Sequence, residues 1–265
     1  MKKKLNYNIV LGSILAGTIL FLIIVGLFWL PYDPDAMNGD LKHAGLSLAH
    51  PFGCDNFGRD IFTRVMVGAR TTLIIALSTV AIGAFLGTVI GAITGYFGGW
   101  IDEILMRIID ALYAFPSILL ALVVVSLLGP GKYQVVAALG IAFVPSFARV
   151  VRAEFLKHRE LDYVKNARIM GCSHMRILFV HILPNILPIF VPTLMIGFNN
   201  AVLAEAGMSY LGIGVQPPDA SLGRMLSESQ TYLLSQPTYA LFPGLTIVLL
   251  VLGFSLLADG LQQKR

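Results

Sequence analysis

Six stretches of mostly apolar residues, at roughly 9–30, 71–94, 101–128, 133–151, 186–206 and 237–258, divide this chain. About 20 such residues in a helix reach across the hydrocarbon core of a bilayer. Charged residues make up only 13% of the sequence and apolar ones 56%. A soluble surface needs roughly 25% charged residues, so much of this one must face lipid. In lipid every backbone N–H and C=O has to be satisfied within the segment, which leaves helices for runs of this kind. The expected fold is an all-α integral membrane protein with about six transmembrane helices.

The first run, Ile9 to Leu30 behind Met1-Lys2-Lys3-Lys4, is longer than a signal-peptide core and ends at Trp29-Leu30-Pro31-Tyr32 without a small-residue cleavage site. It reads as an uncleaved first span with an interfacial aromatic pair. The second carries Gly83, Gly87, Gly91 and Gly95. That four-residue spacing puts them on one helix face, a groove for close approach. The occupant is a helix of the same chain or of a partner, or the groove lines a pore. The third has Asp102, Glu103, Arg107 and Asp110 in its first turns, where Glu103–Arg107 or Arg107–Asp110 pairs fit the helical spacing. Pro116 should kink it.

Basic residues set the expected orientation. Lys2 to Lys4 place the N-terminus in the cytoplasm, an even number of spans returns Lys264-Arg265 to that side, and Arg149, Arg152, Lys157, Arg159, Lys165, Arg168 and Arg176 mark the segment between spans four and five as cytoplasmic. The chain thus divides into a tip and first helix (1–30), an extracytoplasmic segment (31–70) and a five-helix core (71–265). That core contains a cytoplasmic loop at 152–185 and an extracytoplasmic loop at 207–236. Cys54 and Cys172 fall on opposite sides and have no metal-ligand spacing, so both read as structural.

The cytoplasmic loop reads as two short helices around a break. Asp162 is a candidate N-cap, Tyr163, Ala167 and Met170 form a narrow apolar face, and Gly171 supplies the left-handed turn. Ser173 caps a second helix whose Met175, Leu178, Phe179 and Ile182 share a face, and Pro184 closes it. A basic amphipathic pair of this kind either docks into a groove on another protein or lies on anionic lipid. The glycine break favours docking.

The run Asp162-Tyr163-Val164-Lys165-Asn166-Ala167-Arg168-Ile169-Met170-Gly171-Cys172-Ser173, continuing to His181-Ile182-Leu183-Pro184-Asn185, resembles the cytoplasmic "EAA" loop of ATP-binding-cassette (ABC) importer permeases. With His50-Pro51-Phe52-Gly53, Gly58-Arg59-Asp60, Gly95-Tyr96-Phe97-Gly98-Gly99-Trp100, Ala114-Phe115-Pro116-Ser117, the stretch from Ser209 to Pro218, and Phe242-Pro243-Gly244-Leu245, the whole chain is similar to the second permease subunit of dipeptide, oligopeptide and nickel importers. The resemblance implies the ABC importer type I permease fold and a second homologous permease. It also implies two cytoplasmic ATPase subunits that bind ATP and Mg, an extracytoplasmic substrate-binding protein, and residence in a bacterial or archaeal cell membrane.

Carried onto this sequence, the resemblance makes Tyr163, Lys165, Asn166, Ala167, Gly171, Met175, Ile182 and Pro184 the ATPase-coupling residues. Gly58, Arg59, Asp60, Gln216 and Pro217 become receptor-facing. Lys165 and Asn166 stand where the family has Glu and Ala, reversing a charge, and Leu222 replaces a frequent aromatic before Gly223. Met208 beside Ser209-Tyr210-Leu211-Gly212, with the missing loop Glu, looks like the nickel branch.

Glu205, a carboxylate near membrane depth, either faces the substrate path or sits in water at a helix end. Asn199, Glu205 and Met208 are the candidate path residues. His158, His174 and His181, like His43 and His50, have no metal-ligand spacing. The sequence contains no GxxxxGK[ST] phosphate loop, no HExxH and no nucleophile motif. An enzyme is therefore not expected, no cofactor is expected in this chain, and no nucleic acid is an expected partner. A secondary transporter driven by an ion gradient is the alternative; it predicts charged groups near mid-membrane, and few occur.

Overall fold

The computed structural model describes residues 7–263, all-helical apart from connecting loops. Lys2–Lys4 and Lys264–Arg265, which support the orientation argument, lie outside the described residues. The helices are α1 (Tyr7–Phe28), α2 (Ile61–Phe97), α3 (Gly99–Tyr113), α4 (Ser117–Leu128), α5 (Lys132–Arg159), α6 (Asp162–Ile169), α7 (His174–Arg176), α8 (Leu183–Tyr210), α9 (Leu222–Ser229) and α10 (Pro237–Gln262). Among the described residues α1, α2, α5, the stretch His174–Tyr210 and α10 are each long and apolar enough to cross a membrane. The third expected span is not one helix: α3 and α4 meet at 87°. Pro116 caps α4 in an extended conformation, with ψ 128°, so the expected kink is a full break.

The second helix starts well before residue 71, the boundary that hydropathy gave. The Asp60 carboxylate accepts hydrogen bonds from Thr63 N and Oγ1, both at 2.7 Å. That cap starts the helix at Ile61 despite Arg64 and Arg70, which hydropathy penalises. The glycine row then meets α5 of the same chain, in parallel. A Cβ at Gly87 would lie 2.6 Å from Phe147 Cβ, at Gly91 2.5 Å from Ala148 O, and at Gly95 2.6 Å from Phe155 Cβ. Contact this close between backbones is the association that small residues permit in lipid. A second seam joins α1 to α10 antiparallel, with Gly12 against the Gly253 carbonyl and Gly253 against Ala16.

Of the two pairings expected within α3, Glu103–Arg107 forms, at 2.7 Å. Asp110 instead reaches Arg149 of α5 at 2.6 Å, and Asp102 takes Arg152 through two bonds of 2.5 and 2.6 Å. Both arginines assigned to the loop between spans four and five therefore belong to a continuous α5 and tie α3 to it.

One end of the bundle carries the loop around residues 160–183, here called the elbow. The other end carries residues 31–60 and 211–236, here called the cap. At the elbow the second short helix does not stop at Pro184. α7 passes through a π-helical turn, Ile177–Ile182, directly into α8, giving a 37-residue column from His174 to Tyr210. Proline lacks an N–H and crowds the carbonyl of the preceding turn. The wider π turn falls just before it, so Pro184 sits at the start of α8 rather than closing a helix.

Candidate functional site

α6 begins after Leu161, which makes no side-chain cap; Asp162 lies inside the first turn, where its charge faces the positive helix end. The helix ends at Gly171 with φ +79°. Gly171 N donates to Arg168 O and Cys172 N to Ala167 O, each at 3.0 Å. This pair of bonds is the Schellman closure, which requires the left-handed residue that the sequence pattern anticipated.

The apolar face of α6 is split differently from the expected one. Val164 and Ala167 are buried against Ile177, Leu178, Ile182 and Phe155, and Tyr163 is half-buried with its hydroxyl 2.7 Å from His158 Nδ1. Ile182 is also buried. Ile169, Met170 and Met175 stand out instead, with Ile169 83% and Met170 82% exposed. Lys165, Asn166, Gly171 and Pro184 are exposed too. Tyr96, at the end of α2, holds the elbow in place: its hydroxyl lies 2.8 Å from His174 Nδ1, and Arg168 covers its ring at 4.9 Å. The elbow is thus a fixed projection with an apolar tip ringed by basic residues.

At the cap, Gly58, Arg59 and Asp60 were expected to face a receptor, but the structure places Arg59 and Asp60 inside. Arg59 Nε donates to Asp55 at 2.6 Å, and its Nη2 to Glu228 at 3.0 Å. Glu228 also accepts from Arg224 at 3.1 Å and Tyr239 at 2.9 Å. Burial opposes the charge of Glu228, yet Arg64 and Arg59 hold its carboxyl below the usual range. Burial likewise opposes charge on Arg59, and Asp55 with Glu228 outweighs it, raising the Arg59 pKa. His50 Nδ1 lies 2.8 Å from Asp60. Gly58, at φ +75°, presses on the Asn38 carbonyl, which leaves no room for a Cβ. These residues bind the 31–60 segment onto α9 and α10. Pro217, Pro218 and Asp219 are exposed beside them, while Gln216 is half-buried and donates to the Gly212 and Gly214 carbonyls.

Glu205 faces neither water nor an open path; it is fully buried. Thr72 Oγ1 and Ser209 Oγ donate to its two oxygens at 2.8 and 2.7 Å. Those hydroxyls in turn accept from Leu222 N and Val215 N, at 3.3 and 3.0 Å. The knot joins α2 and α8 to the cap. Asn199 and Met208 are buried as well.

The open face of α8 carries Thr193, Ile196, Asn200 and Leu203, a stripe at i, i+3, i+7 and i+10 that passes one residue to the side of Asn199. This stripe, with α5 and the α3–α4 break, lines a cavity of about 610 Å³. Its polar groups are Ser117, Ser146, Arg149, Thr193 and Asn200. Sequence reading passed over Arg149, Asp110 and Tyr113 here because the first two looked like ordinary interfacial charges. The available signal was the strong amphipathicity of α3, charged on one side in an otherwise apolar chain.

A bundle of apolar helices, broken where a polar cavity opens and bearing a fixed elbow at one end, is the form of a transport permease. The fold resembles the MetNI methionine ABC transporter in inward-facing conformations, with TM-score 0.61 at 20% identity over 74% of this chain and 93% of that one. It also resembles an amino acid ABC transporter solved with histidines, with TM-score 0.59 at 20% identity over 76% of this chain and 94% of that one. Residues 87–264 match the family of binding-protein-dependent transport system inner membrane components. The glutathione transport system permease protein GsiD of Pectobacterium atrosepticum is 41% identical over 94% of this chain and 85% of its own length. The dipeptide transport system permease protein DppC of Alkalihalophilus pseudofirmus is 39% identical over 98% of this chain and 85% of its own. The chain belongs to this family and is a permease subunit of an ABC importer. Nothing supports the gradient-driven alternative.

Proposed function

We propose that this subunit forms half of a path for small peptides, dipeptides or glutathione-like compounds, with a second homologous permease closing the other half. The cavity between the α3–α4 break, α5 and α8 carries this reading. It is about 610 Å³ in volume, open on one side, and its hydroxyl, amide and guanidinium groups alternate with apolar walls. Peptides present the same alternation of polar backbone and apolar side chain. The similarity to permeases named for glutathione and dipeptide transport supports the same cargo class. A nickel chelate gains nothing from Met208, which is buried.

In this reading the elbow is cytoplasmic and the cap extracytoplasmic. Each of two ATPase subunits, which carry ATP and Mg, receives one permease elbow. Ile169, Met170 and Met175 enter a groove on the motor, and Lys165 supplies a positive charge at its edge. The cap meets the substrate-binding protein through Pro217 and its exposed neighbours, while Gly58, Arg59 and Asp60 hold that surface in shape. The membrane is a bacterial or archaeal cell membrane.

Reconstitution tests this proposal. The chain would be placed in proteoliposomes with its sister permease, the two ATPases and the receptor, and uptake of dialanine and glutathione followed. Uptake of at least one that requires both ATP and receptor is expected. Uptake by this chain alone on an ion gradient, or ATP-dependent uptake of neither compound, would overturn it.

A further inference from the structure

Arg149 is placed unlike Arg152, the next arginine of α5. Arg152, one turn on, is held by Asp102 through two bonds, which already fasten α3 to α5. Arg149 Nη2 donates to Asp110 Oδ1 at 2.6 Å, and its guanidinium lies 3.8 Å from the Tyr113 ring centroid. Both members of the ion pair are open to solvent, with side chains 41% and 56% exposed. Tyr113 and Arg149 line the large cavity, at the point where α3 stops and the chain turns through 87°.

An arginine has five N–H donors in a planar fork that matches a carboxylate through two parallel bonds. Asp110 takes one of these. The Tyr113 face supports the plane of the fork and favours its charge. What remains is a guanidinium, fixed in plane, facing a cavity with most of its donors free.

We propose that Arg149 is the specificity-determining residue for the carboxylate of a passing cargo, with Asp110 as the internal carboxylate that the cargo displaces. The inference rests on the path assignment above. In the empty cavity Asp110 neutralises Arg149, so the site does not trap anions. An entering carboxylate exchanges with Asp110 for equivalent charge-assisted bonds. The exchange is near balance, as release on the far side requires, because binding tight enough to hold the cargo would stop transport. A cargo with a carboxamide in that position offers no charge and cannot displace Asp110.

The test uses the complete assembly at saturating loaded receptor, so that selection by the receptor does not enter. Uptake of dialanine and glutathione is compared with uptake of their α-carboxamides. In wild type the free acid should move about tenfold faster or more, the scale of one charge-assisted contact. Arg149→Gln should bring the ratio near unity, and Arg149→Lys should give an intermediate ratio. A second arm does not depend on uptake: saturation-transfer NMR of dialanine with the purified permease pair without receptor. Saturation that Arg149→Gln removes and Arg149→Lys partly restores supports the site. Equal slowing of acid and amide in Arg149→Gln, or unchanged saturation, overturns it. A wild-type assembly that moves neither compound, although saturation still depends on Arg149, would overturn the path assignment and leave the carboxylate site standing.

Discussion

Replacing Gly91 by alanine adds one methyl group to a 28.8 kDa protein, and the structure specifies what that methyl meets. It would lie 2.5 Å from Ala148 O, 2.8 Å from Val151 Cβ and 2.9 Å from Arg152 N. Two of the three are backbone atoms of α5, so no rotamer change relieves the clash. Restoring ordinary contact needs about 1 Å of separation between α2 and α5, which forfeits up to about half of each dispersion contact along that part of the seam. Overpacking of this kind costs about 1–3 kcal/mol.

Alanine also regains about 1 kcal/mol of helix propensity, so the net loss expected is about 0–2 kcal/mol, with a midpoint near 1 kcal/mol that corresponds to roughly fivefold in the folded-to-unfolded ratio. Gly17 of α1 is the control, since a Cβ there meets nothing within 4 Å. Gly17→Ala keeps the propensity gain without the clash. Unfolding in mixed micelles of increasing sodium dodecyl sulfate, followed by tryptophan fluorescence, measures both. If Gly91→Ala proves as stable as Gly17→Ala, the α2–α5 seam does not depend on close backbone approach and the account of the glycine row is wrong.

Gly171→Val should place a β-branched residue at φ +79°, with a strain of about 1–2 kcal/mol confined to the elbow. Co-purification of ATPase subunits should fall several-fold while membrane insertion is unchanged, and unchanged co-purification would count against the docking surface. Glu228 is held below its ordinary value of 4.5. Its contribution to stability is therefore complete above that value and lost as pH falls through the lower folded one. Thermal unfolding across pH 3–7 should show this acid-side loss in wild type and a flatter profile in Glu228→Gln. Cys54 is buried and its thiol is pushed up to about 11, chiefly by burial, with Asp60 and Asp55 adding to it. A membrane-impermeant maleimide at neutral pH should spare it and should label the part-exposed Cys172 only after cells are permeabilised. Labelling of Cys172 in intact cells would invert the proposed orientation.

Much of the bundle was legible because its signals are local. Apolar runs located the spans, the four-residue glycine spacing predicted a seam, and Gly171 marked a left-handed turn. Interactions between distant residues were not legible. Arg59 looks exposed beside Gly58 and Asp60, and it is Glu228, in a helix far along the chain, that joins Asp55 in making it an interior residue. Glu205 reads as an acid near a helix end until Thr72 and Ser209 close around it. The cavity-lining face of α8 carries Asn200 rather than the adjacent Asn199, because on a helix a single step turns a side chain by about 100°. A hydropathy window also cannot distinguish a kinked span from a broken one, so the right angle after Tyr113 was hidden within a continuous apolar run.

The π turn before Pro184 lets a surface projection and a transmembrane helix share one backbone. Met175 stands near the start of that column and Glu205 near its far end, roughly 45 Å away at the rise of an α-helix. Under the proposed docking such a rod acts as a crankshaft: a push on its exposed foot travels along one backbone, past Pro188 and Pro192, to the hydroxyl-bound carboxylate at its head. A mutation in the Thr72–Ser209 clasp would then slip the far end of the shaft, leaving the foot seated while the stroke is spent on nothing.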